Sequence, residues 1–176
     1  MKKKISGFEV ALSAVACAFA TIFMTVGVMS DFMLATGYIV GTFALMLPLA
    51  KGFILGDVLA YIATVILTLI FGGVSVPWRL VPFILFFGLH PLINYLQHRY
   101  HWNKYLMAVI KAVWFDVMLY LVWRFIFGMT TSFQWVDQYI IPVILIAGTV
   151  FFLVYDVLID SCQLAVNAVV RRIKKD

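Results

Sequence analysis

The run from Tyr105 to Phe127, YLMAVIKAVWFDVMLYLVWRFIF, is long and apolar enough to cross a bilayer, yet it holds Lys111, Asp116 and Arg124. A charge at the bilayer centre costs at least about 2.5 to 3.5 kcal/mol on insertion scales, so these groups need protein partners, water or a ligand. The segment is therefore expected to be a central helix of a bundle. At about 100° per residue, Asp116, Tyr120 and Arg124 succeed one another at four-residue steps along one drifting stripe, while Lys111 points away from it. Two separate polar contacts are predicted, one running outward from mid-membrane and one for the lysine near the other end.

The rest of the chain has the composition to surround such a helix. Of 176 residues, 65% are hydrophobic and 12% charged, and the mean hydropathy is +1.06, far from an ordinary soluble domain. An all-α membrane protein with one transmembrane domain follows, because the spans and their short joints use nearly every residue. The net charge of +5 does not indicate nucleic acid, since the cations sit mostly at span ends, where they set topology. Cys17 and Cys162 fall in apolar segments and read as small buried hydrophobes.

Six spans are predicted, approximately over residues 8–28, 32–49, 52–71, 79–95, 105–127 and 139–159, with a helical tail after the last. The first could instead be a signal peptide, but its apolar run is longer than a usual leader core, and it is read as a retained helix. It carries small residues at four-residue spacing, Ala14 with Ala18 and Ala16 with Ala20, which let another helix approach closely. Close packing inside the bundle and docking of a separate protein are both compatible with that pattern. With six spans, Lys2 to Lys4, Lys51, Arg99, Lys104, Arg171, Arg172, Lys174 and Lys175 all fall on one side, and Arg79 alone lies at the opposite boundary. The positive-inside rule then places both termini in the cytoplasm of a cell membrane.

The polar residues sort by depth. Asp57, Lys111 and Asp156 all lie within roughly 10 Å of the cytoplasmic boundary and are predicted to form structural ion pairs, with a proton or ion relay as the other reading. Near the outer face, Trp78, Arg79, Tyr120, Trp123, Arg124, Trp135, Asp137 and Tyr139 gather, with Asp116 below them and Asp31 on the first outer joint. An interfacial aromatic belt accounts for many of these residues. An outward-facing pocket built from Trp78, Arg79, Asp116, Tyr120, Arg124 and Trp135 accounts for Asp116 as well. In such a pocket Arg79 or Arg124 would hold the anionic group of a small ligand.

No nucleotide-binding loop, nucleophile elbow, HExxH or paired cysteines are present, so the sequence offers neither enzyme signature, metal site nor cofactor site. A membrane hydrolase using Asp116 with Asp57 or Asp156 would need carboxylates at matching depth, which these are not.

In length, in six-helix topology, in the first-helix alanines and in the passage ALMLPLAKGFILGDVLAYIATVILTLIFGG, the chain resembles the substrate-binding S components of energy-coupling-factor (ECF) vitamin and micronutrient transporters. The resemblance implies that Ala14, Ala16, Ala18 and Ala20 dock a transmembrane coupling protein, that two cytoplasmic ATPases supply energy, and that the substrate sits near the outer face. The first outer joint is shorter than the lid of many S components. A six-helix scaffold resembling the rod-shape protein MreD, binding partner proteins and no small molecule, is the alternative.

Overall fold

The computed structural model describes residues 6–125 and 138–173, and all regular structure among them is helical. Six helices follow in chain order: α1 (Gly7–Met29), α2 (Leu34–Leu49), α3 (Ile54–Gly73), α4 (Pro77–Arg99), α5 (Lys104–Phe125) and α6 (Ile140–Ile173). Five of them are long and apolar enough to cross a membrane. The exception is α2, whose 16 residues reach about 24 Å against a hydrocarbon core of about 30 Å. It carries no charged residue and is buried along most of its length. The tail predicted after the sixth span is continuous with it, so that α6 runs for 34 residues.

The described residues form two compact units, one comprising the chain up to Tyr95 together with the part from Ile159 onward, the other Leu96–Leu158. In the first unit, α1 starts at a capping box. Ser6 Oγ accepts the Glu9 N–H at 3.2 Å, and the Glu9 carboxylate accepts the Ser6 N–H at 3.0 Å, satisfying two amides that the helix cannot. Near its other end α1 crosses α2 at Gly27 and Gly37. A Cβ on Gly37 would stand 2.9 Å from the Phe23 carbonyl oxygen, so the backbones touch where both helices lack a side chain.

Three helices contain a π turn, at Leu69–Gly73, Phe83–Phe87 and Ile144–Gly148. Such a turn inserts one residue and disturbs the usual carbonyl pairing. In α4 two of these carbonyls take side-chain donors instead: Tyr61 Oη donates to the Ile84 carbonyl at 2.8 Å and Thr42 Oγ1 to the Phe87 carbonyl at 2.9 Å. The phenol and the hydroxyl thereby tie α3 and α2 to α4.

In the second unit, α5 packs on α6 through Phe115, whose ring lies 5.9 Å from each of Phe151 and Phe152. The expectation of a helix enclosed on all sides is corrected here. Within its unit α5 buries Met107, Lys111, Phe115, Asp116 and Met118, while Val109, Val113 and Val117 stay exposed. A single neighbouring helix meets both of its buried charges, so one covered face is enough.

Candidate functional site

The two polar contacts predicted for α5 are present, and both are made to α6. Lys111, 1% exposed, places its ammonium 2.5 Å from Asp156 Oδ1. Farther along, Asp116 Oδ2 accepts the Thr149 hydroxyl at 2.9 Å. A step toward the C-terminal end of α5 is a step toward the N-terminal end of α6, as antiparallel neighbours require. Asp57, the other member expected in the ion-pair network, forms no ion pair among the described residues, and its buried Oδ1 has no hydrogen-bond partner. It lies in the first turn of α3, where the partial positive charge of the helix N-terminus favours a carboxylate, and beside a small cavity lined by Gly88, Leu89 and Leu92 of α4.

Beside Asp116 lies an open cleft of about 230 Å³. Its walls are Val113 and Val117 of α5 and Ile141, Ile144 and Leu145 of α6. Asp116 itself is 9% exposed and Tyr120, at 40%, is the polar residue nearest the surface. The π turn Ile144–Gly148 makes the α6 wall, and it brings Gly148 against the carboxylate. A Cβ at that position would stand 2.8 Å from Asp116 Oδ1. Only glycine leaves room for this oxygen, which is buried and has no hydrogen-bond partner among the described residues. The cleft therefore combines apolar walls with one carboxylate whose hydrogen-bonding capacity is half used, since each oxygen can accept two bonds.

The remaining predicted pocket residues are distributed otherwise. Trp78 and Arg79 belong to the first unit, whereas Asp116, Tyr120 and Arg124 belong to the second. Arg79 forms an ion pair with Asp31 and donates from Nη1 to the Val28 carbonyl at 2.9 Å, while its own carbonyl accepts the Tyr38 hydroxyl. The guanidinium thus closes the C-terminal end of α1, where the last carbonyls lack helical partners. Asp31, expected to be screened on an exposed joint, is its counter-charge. Trp78 is exposed, as an interfacial belt residue should be. Arg124 is exposed and makes no ion pair among the described residues, while the Tyr120 ring lies 5.8 Å from that of Trp123. Trp135 lies outside the described residues.

The first-helix alanines separate into two faces. Ala16 and Ala20 are fully buried in the first unit, whereas Ala14 and Ala18 are exposed. Internal packing therefore occupies one small-residue pair and leaves the other open.

Sequence reasoning passed over Thr149, Gly148 and the acceptor role of the Val28 carbonyl. Gly148–Thr149 is a small, polar break in the apolar run of α6 and was available as a signal; the carbonyl leaves no trace in a sequence. Compared with models of protein families, with curated proteins and with solved structures, the chain has no match.

Proposed function

We propose that this protein is a membrane-embedded substrate-binding subunit of an ECF-type uptake transporter, with its ligand held in the cleft between α5 and α6. The observation that carries the reading is the Asp116 carboxylate at the floor of an apolar cleft of about 230 Å³, one oxygen held by Thr149 and the other without a partner. A scaffold without a ligand has no use for that arrangement, because a buried, half-satisfied acceptor costs about 1 to 3 kcal/mol. Absence of enzyme signatures and the open Ala14–Ala18 face support the same reading, the latter as the surface for a coupling protein that two cytoplasmic ATPases drive. Both termini face the cytoplasm, on the strength of the one-sided distribution of lysine and arginine.

The test is mass spectrometry of small molecules retained through purification, on the wild type and on Ala18→Trp. A retained ligand in both proteins, with uptake lost only in Ala18→Trp, is the expected result. If no small molecule is retained and Ala18→Trp impairs neither uptake nor assembly with any partner, the MreD-like scaffold reading replaces this one. Labelling of an introduced cysteine at Asn103 from outside intact cells would overturn the topology.

A further inference from the structure

The charge within the α5–α6 cleft identifies the chemical class of its ligand, an inference that rests on the cleft being the binding site. An anion was expected while Arg79 and Arg124 were read as pocket residues. Arg79 is committed to Asp31 and to the Val28 carbonyl, and the cleft is lined by neither arginine. Its one ionisable group beside Tyr120 is Asp116, which has no cation among the described residues. Thr149 supplies one neutral hydrogen bond to Oδ2, leaving the negative charge unbalanced in an apolar surrounding. Such a charge attracts a cation far more strongly than it would in water, because the low local dielectric weakens screening.

We propose that the cleft binds a small amphiphile carrying one protonated amine, its ammonium on the Asp116 carboxylate and its apolar body between Val117 and Ile144. The geometry of Gly148 belongs to this recognition. By lacking a Cβ it leaves Asp116 Oδ1 unobstructed, so the carboxylate can accept from the ligand while Thr149 holds the other oxygen. Tyr120, half exposed beside the cleft, offers a ring face to the ammonium or to an aromatic body. The cleft volume is below the 300 to 1,000 Å³ usual for drug-sized ligands, which limits the ligand to a compact molecule with few polar groups.

Phenethylamine, 2-phenylethanol and phenylacetate present nearly the same body with a cation, a neutral hydroxyl and an anion. Binding of each to the wild-type protein in phosphatidylcholine nanodiscs, measured by calorimetry against empty nanodiscs, separates the possibilities. The amine should bind at least about tenfold more tightly than the alcohol, a difference of about 1.4 kcal/mol, and the acid more weakly still. Gly148→Ala should weaken amine binding by a similar factor, and Asp116→Asn should abolish the preference for the amine over the alcohol. If the alcohol or the acid binds as tightly as the amine, and the binding is weakened by Val117→Trp, the cleft is a ligand site and the amine assignment is wrong. If none of the three binds above empty nanodiscs, the amine assignment is also wrong; retention or absence of a ligand in the purified protein then decides separately whether the cleft is a binding site.

Discussion

Lys111 and Asp156 meet at 2.5 Å across the α5–α6 interface, the ammonium buried and the carboxylate only slightly exposed. Neither residue could be left in an apolar span alone, and together they set the axial register of the two helices. Asp116 and Thr149 then fall opposite one another, so the ion pair also positions the floor of the cleft.

Lys111→Met should lower stability by about 3 to 5 kcal/mol, because it strands the Asp156 carboxylate in a low-dielectric surrounding. The double variant Lys111→Met, Asp156→Leu should recover most of that loss, since a buried pair replaced by apolar residues of similar volume is commonly neutral. Unfolding in lipid bicelles measures both. Additive losses in the double variant would show that the two side chains do not act as a pair.

Arg79 has unequal partners. Its bond to the Val28 carbonyl is to a fully buried residue, whereas the Asp31 side chain is 79% exposed. Arg79→Ala should therefore cost about 1.5 to 3 kcal/mol, the usual worth of a hydrogen bond to a charged group, and Asp31→Asn less than about 1 kcal/mol. Thermal unfolding of the two variants distinguishes them. Equal losses would mean that the ion pair, and not the closure of α1, is the stabilising contact.

Gly37→Ala should destabilise the first unit by about 1 to 3 kcal/mol, because the added methyl meets the Phe23 carbonyl of α1 and the helices must part. Gly7→Ala, where an added Cβ meets nothing, is the matched control and should be neutral or slightly stabilising. Comparing the midpoints of the two variants tests whether α1 and α2 depend on this close approach.

Asp57→Asn should raise stability or leave it unchanged, since the carboxylate is 2% exposed and its buried oxygen has no partner among the described residues. Removing a buried charge without a counter-charge relieves desolvation while keeping the side-chain shape. A loss of more than about 1 kcal/mol on thermal unfolding would show that Asp57 has a stabilising partner in the membrane.

The sequence by itself determined where helices form and which of their residues demand partners. Apolar runs of span length mark α1 and α3 to α6, and the cost of Lys111 and Asp116 in hydrocarbon requires that both be met by protein, water or ligand. Periodicity also placed Asp116 and Tyr120 on one stripe, and both line the cleft. Tertiary structure decided the partners. A helical wheel gives the direction of a side chain about its own axis but carries no information on which helix stands there, so Asp156 and Asp57 were equal candidates for Lys111 until α6 was seen to pack on α5. It likewise assigned Arg79 to the end of α1 and not to a pocket, because that contact runs to a backbone carbonyl. The π turn at Ile144–Gly148 marks the limit of pattern reading most sharply. By inserting one residue it shifts the phase of everything before it by about 100°, which turns Gly148 toward Asp116 and opens the cleft, and no count of apolar residues along α6 discloses that shift.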